Sequence, residues 1–112
     1  MPIALVDLKP EFLIHEWIDG RQINRHTDSL AEATGVFLLC PACFTRNGGP
    51  VGTHGLIVTF ADRGVPDHLG SHGSKGQPTR WQVRGSGLHD LTTTPSIDVG
   101  CWHGYLTDGV CT

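Results

Sequence analysis

The sequence predicts a mainly β fold, a small antiparallel zinc-stapled sheet of zinc-ribbon or rubredoxin-like type with one short helix. Three observations carry this prediction: short apolar runs, dense turn formers between them, and a Cys-x-x-Cys pair at the end of one run. The 112 residues include 15 glycines and 7 prolines, which punctuate a chain of strands and turns and do not sustain long helices. Only 38% of residues are hydrophobic and 7% aromatic, so the core is thin, and the length is that of a single domain over 1–112.

Taken in order, Phe12-Leu13-Ile14-His15-Glu16-Trp17-Ile18 reads as a strand bounded by Pro10 and the turn signal Asp19-Gly20. Asp28-Ser29-Leu30-Ala31-Glu32-Ala33 places capping side chains before good helix formers and stops at Gly35, which predicts one or two helical turns. Gly35-Val36-Phe37-Leu38-Leu39 is a buried strand that delivers Cys40 at its end, with Cys43 in a tight turn. After Asn47-Gly48-Gly49-Pro50, the run 54–60 predicts a second buried strand antiparallel to the first, so that the pair carries the knuckle. Residues 62–79 have no apolar periodicity and contain His68 and His72, which predicts an exposed loop. Two further strands are expected at 80–84 and 91–99, the latter irregular or at an edge because of Pro95. The segment 101–111 predicts a last hairpin closed by Asp108-Gly109.

Eight Lys+Arg against 11 Asp+Glu give a net charge of −3, without the basic surplus of a phosphate-tracking protein, so nucleic acid is a disfavoured partner. The start of the chain lacks a basic leader region, and no run approaches the ~20 apolar residues of a membrane span. A soluble, intracellular protein is expected, and in a reducing compartment Cys-x-x-Cys points to a metal knuckle or a redox motif before disulfides. The 48–55 stretch is glycine-rich like a phosphate-cradling loop but lacks the lysine and the following helix, so nucleotide binding is not expected.

Four cysteines and seven histidines against two lysines are the compositional signal of a metal site. Cys40 and Cys43 have the spacing at which one turn offers two thiolates to a tetrahedral Zn2+. Cys101-Trp102-His103 adds a thiolate and an imidazole, two apart and therefore on one face if the segment is a strand. Cys40, Cys43, Cys101 and His103 make a Cys3His set, with Cys111 or His54 as alternative fourth ligands. Three thiolates around a divalent ion add −1, taking the formal charge to −4. The redox alternative is weaker, because a thioredoxin-like motif opens a helix in a parallel unit and here strands are expected on both sides. An enzymatic alternative keeps an open metal position, with His54 or Asp90 as the catalytic proton carrier. The plainer reading makes His54 a strand-end histidine and Asp90 a turn residue.

Phe37-Leu38-Leu39-Cys40-Pro41-Ala42-Cys43-Phe44, Asn47-Gly48-Gly49-Pro50-Val51-Gly52-Thr53-His54, Gly64-Val65-Pro66, Arg80-Trp81, Gly85-Ser86-Gly87-Leu88-His89-Asp90-Leu91-Thr92 and Cys101-Trp102-His103-Gly104 follow one another in family order. Together, from about residue 28 onward, they resemble a small cysteine-histidine domain family of tailed phages and prophages. Members often carry the label ammonia monooxygenase, but that enzyme is a membrane copper complex and this chain has no spanning run. Pro95-Ser96-Ile97 is similar to a segment of related bacterial domains found beside ubiquitin-like conjugation genes, which suggests a hydrolase or an adaptor. Cys111 departs from the family pattern and keeps the fourth ligand open. The resemblance implies a phage-encoded zinc-binding accessory or interaction domain in the host cytoplasm, with a host or virion protein as partner. The alternatives are a zinc-dependent hydrolase of a peptide, amide or nucleotide bond, and a virion decoration or tail component.

Overall fold

The computed structural model describes residues 2–112. Its chain runs β1 (Ile3–Ala4), a 3-10 turn (Leu5–Leu8), β2 (Glu11–Ile18), β3 (Arg21–Thr27), β4 (Gly35–Leu39), α1 (Pro41–Asn47), β5 (Gly55–Thr59), β6 (Gln82–Arg84), β7 (Thr92–Asp98), β8 (His103–Thr107) and β9 (Val110–Cys111). All strand pairings within the two sheets are antiparallel, in the orders β3-β2-β4-β5 and β1-β9-β8-β7-β6. The mainly β class expected from the sequence is the observed one. No helix among the described residues is long and apolar enough to cross a membrane.

β2 ends where Asp19 (φ 52°) and Gly20 (φ 79°) both turn left-handed, the conformation of a two-residue hairpin loop matched to the twist of its strands. That turn forces the next residues back along β2, producing β3, which the polar sequence RQINRHT did not announce. β3 is an edge strand, with Thr27 as its only buried residue. An edge does not require the apolar alternation of a half-buried strand.

The helix expected over 28–33 is absent. Ser29 instead closes a single turn, its Oγ accepting from Glu32 N at 3.3 Å and its carbonyl from Ala33 N at 3.0 Å. Arg63 takes the Leu30 and Ala33 carbonyls at 2.9 and 2.7 Å, and six residues are too few to recover the cost of helix nucleation. The one α-helix among the described residues is α1, which begins one residue after Cys40.

The two sheets share one core in which Leu5, Leu8, Val36, Leu38, Val58 and Phe60 meet Leu91, Ile97 and Leu106, all essentially inaccessible. The 62–79 segment contains no strand and is mostly exposed, but it is anchored by buried Leu69 and by Arg80. The Arg80 guanidinium donates to the carbonyls of Ser71, Thr79, Pro66 and Leu69 at 2.7–3.0 Å. β7 is irregular, as Pro95 predicts: its register with β8 shifts between Thr93 and Ile97, where proline has no N–H to give the ladder.

One buried polar chain crosses this architecture. His15 is 8% exposed. Its Nδ1 lies 2.7 Å from Thr34 Oγ1 and its Nε2 3.3 Å from Thr59 Oγ1, which in turn is 2.9 Å from Ser71 Oγ. Burial, reinforced by the Arg80 charge, holds the His15 pKa below 6.5. The unfolded chain therefore takes up a proton that the folded chain resists, so stability falls as pH drops below 6.5 and is untouched above it. His15→Gln removes that dependence. In metal-loaded protein melted at pH 7.5 and 5.5, the variant is expected to lose fewer degrees than the native chain, and equal losses would refute this assignment.

Candidate metal centre

The centre forms where β4 hands the chain to α1. Cys40 is the N-cap residue (φ −61°, ψ 121°) and Pro41 follows at the first helical position, where a missing N–H costs nothing and the fixed φ suits the helix. Cys43 stands three residues on, the spacing that puts two side chains on one helix face. Thus Cys-Pro-Ala-Cys does open a helix, contrary to the expectation of a plain turn, although between antiparallel strands and not in a parallel unit.

β5 brings the next donor. Cys40 N donates to His54 O at 2.9 Å, continuing the ladder of Leu38 with Leu56, so His54 stands directly opposite Cys40. α1 stops at Gly48, which is left-handed (φ 70°). The loop beyond is held by Asn47 Nδ2 donating to Thr53 Oγ1 at 3.0 Å and by Thr53 Oγ1 donating to Gly49 O at 2.7 Å. Cys101 comes from the other sheet, in the bend after β7 where Gly100 has φ 84° and its N–H bonds Asp98 Oδ1 at 3.0 Å.

The four donors converge. Cys101 Sγ is 3.3 Å from Cys40 Sγ, 3.6 Å from Cys43 Sγ and 2.9 Å from His54 Nε2, and all four ligand atoms lie within 4.8 Å of one another. The cysteines are free thiols. A tetrahedral ion with arms of about 2.3 Å to sulfur and about 2.0 Å to nitrogen sets its ligand atoms about 3.5–3.8 Å apart, a spacing this group reaches with small side-chain adjustments. Cys40 and Cys43 are buried, whereas His54 and Cys101 are exposed.

The electrostatics are compatible with a bound cation. Burial raises the Cys43 thiol, but its hydrogen bonds with Cys101 and Cys40 and the Arg46 guanidinium, 3.1 Å from its sulfur, leave it below its ordinary value. Cys101, though exposed, is pushed up to about 11, first by its contact with Cys40 and then by partial desolvation of its sulfur. Three thiolates here would repel one another, and Arg46 supplies only one positive charge. A divalent ion would provide that compensation, and binding it would release the thiol protons.

The other predicted residues lie outside this group. His103 is on β8 with Nε2 3.0 Å from Ser96 Oγ. The parity argument that joined it to Cys101 assumed one continuous strand, but Cys101 precedes β8 in a bend. Cys111 is core, paired with Ile3 and Leu106, 1% exposed, and its thiol is pushed up to about 12 by burial. Asp90 accepts from Ser86 Oγ, Ser86 N and Gly87 N at 2.7–2.9 Å, which holds its carboxyl down to about 2. It is a turn lock, and so fully ionised a carboxylate is a poor general base at neutral pH. His54 spends its Nε2 on the cluster and is a ligand candidate, not a free proton carrier. A cleft of about 780 Å³ opens elsewhere, between β5 and β7, and is lined by none of the four donors.

Comparison with protein-family models, with curated proteins and with solved structures gives no match, so the centre is defined by its own geometry: a Cys3His group of Cys40, Cys43, His54 and Cys101 that can hold one metal ion.

Proposed function

We propose that this chain is a zinc-stapled β-domain whose metal is structural and which serves as an accessory or interaction module. The observation that carries the reading is the closed set of four protein donors drawn from both sheets, with no carboxylate among them. Three soft thiolates and an imidazole select zinc over magnesium, calcium or manganese. A structural zinc contributes ~10–16 kcal/mol in small peptides, as much as the ~5–15 kcal/mol net stability of a domain. Held in that way, the metal joins the strand pair β4–β5 to the end of β7, an inter-sheet tie in a chain whose apolar core is small.

The resemblance to the phage and prophage family supports a setting in the host cytoplasm or on the virion, with a protein partner. Purified protein analysed by plasma mass spectrometry is expected to contain one zinc per chain. Stripping it with a strong chelator is expected to abolish the cooperative melting transition, and readdition of zinc to restore it. A metal-free chain that melts cooperatively at the same temperature would refute the structural role.

A further inference from the structure

Two strand edges line one cleft, and each leaves some backbone groups without a partner among the described residues. In the β4–β5 ladder the hydrogen-bonded pairs are Val36 with Val58, Leu38 with Leu56 and Cys40 with His54, as Cys40 N to His54 O at 2.9 Å and Phe60 N to Thr34 O at 2.8 Å fix. The intervening residues Gly55, Ile57 and Thr59 therefore turn their N–H and C=O groups away from β4. Two of these groups are used: Ile57 O accepts from Ser71 Oγ at 2.7 Å and Thr59 O from Trp81 N at 3.0 Å. The N–H groups of Gly55 and Ile57 and the Gly55 carbonyl have no partner among the described residues.

β7 shows the same pattern. Val99 N donates to Trp102 O at 2.9 Å, so Ile97 and Val99 face β8 while Ser96 and Asp98 face the other way. There β6 has already ended, its last pair being Gln82 with Thr94. Only Trp81 Nε1 reaches this edge, donating to Ser96 O at 3.1 Å, and the Asp98 backbone groups are unpartnered among the described residues.

Gly55, Ile57, Ser96 and Asp98 all line the 780 Å³ cleft. Trp81 ties the two edges at one end, through Thr59 and Ser96. At the other end the metal cluster ties them, since His54 immediately precedes β5 and Cys101 follows β7. Unpaired N–H and C=O groups at alternate residues of an exposed edge are what an added strand satisfies, and the aromatic walls Phe37 and Trp81 offer an apolar seat for its side chains.

We propose that this cleft receives an extended peptide segment of a partner protein, with apolar side chains, which adds as a short strand to the open Gly55–Ile57 part of the β5 edge and is bounded opposite by β7. The inference rests on the interaction-module reading and names the chemistry of the partner. The metal then has a second effect, because it sets the separation of the two edges that the peptide must span.

The test uses the full metal-loaded chain and a synthetic ten-residue peptide selected on it from a random display library. The Gly55 and Ile57 amides are expected to shift and to exchange at least tenfold more slowly with peptide bound. N-methylation along the peptide is expected to weaken binding at least tenfold at alternate positions and little between them. Ile57→Pro removes an N–H that β4 does not use, so it is expected to keep the metal and the fold while weakening the peptide at least tenfold. If that variant fails to fold, the N-methyl series decides alone. No enriched peptide, an N-methyl profile without alternation, or shifts confined to another surface would overturn the proposal. Metal analysis of the same sample separates the two claims: a metal-loaded chain that takes no peptide overturns only the cleft, and a metal-free folded chain overturns the staple.

Discussion

Cys43→Ser is expected to leave the chain without bound metal and without a cooperative melting transition at 25 °C. The substitution removes one of four donors and leaves Cys40 and Cys101 crowded within 3.3 Å without a cation between them. The lost contribution, ~10–16 kcal/mol for a structural zinc, meets or exceeds the whole ~5–15 kcal/mol margin of a folded domain. Cys111→Ser is the matched comparison. That thiol is buried in the core away from the cluster, so its replacement lowers the melting temperature through packing but keeps the metal. Circular dichroism melts and metal analysis of the two variants are decisive, and a folded, metal-loaded Cys43→Ser would remove Cys43 from the site.

The second large effect is at Gly109, where the β8–β9 turn meets both the chain start and the approach to β7. Its N–H donates to Leu91 O and its carbonyl accepts from Leu5 N, each at 2.8 Å. With φ 77°, any side chain there is strained, and a Cβ would run into the His89 carbonyl, a backbone group that cannot swing aside. Left-handed backbone costs a non-glycine residue roughly 1–3 kcal/mol, and the collision adds to it. Gly109→Ala is therefore expected to lose about 3 kcal/mol or more, roughly 12 °C in a domain of this size. Gly20 has nearly the same φ, but a Cβ there meets nothing within 4 Å, so Gly20→Ala is expected to lose only about 1 kcal/mol. Equal melting temperatures for the two variants would show that the Gly109 contact carries no weight.

What could be read from the sequence follows the strength of the local physics. β4 and β5 are unbroken apolar runs that are buried in the structure, and their pairing was legible because a hairpin is the shortest way to bury both. The Asp19-Gly20 and Asp108-Gly109 turns were legible because few residue pairs accept two left-handed conformations in succession. β3 was not, since a polar edge strand is imposed by its turn and by β2, not by its own side chains. α1 was hidden because it is only seven residues long, capped by a cysteine that forms no side-chain capping bond, and its apolar residues serve the metal cluster as much as the core.

At the site, three of the four clustered side chains, Cys40, Cys43 and Cys101, were legible together, whereas His54 stood only as an alternative to His103. Cys101 and His103 look like neighbours on one strand face, but Gly100 bends the chain before β8 and rotates the thiol toward the other sheet. The signal that favours His54 is the ladder register: a partner for Leu38 at Leu56 places residue 54 opposite residue 40. That register depends on where α1 ends and how the 48–53 loop closes, neither of which periodicity specifies.

The most direct measurement of the central claim is X-ray absorption at the zinc edge on His54→Ala beside His103→Ala, each compared with the native chain. Native protein and His103→Ala are expected to show three sulfur scatterers at about 2.3 Å and one nitrogen at about 2.0 Å, while His54→Ala loses the nitrogen or the metal altogether. A nitrogen that survives His54→Ala and disappears with His103→Ala, or a shell of four sulfurs in the native chain, would contradict the assignment.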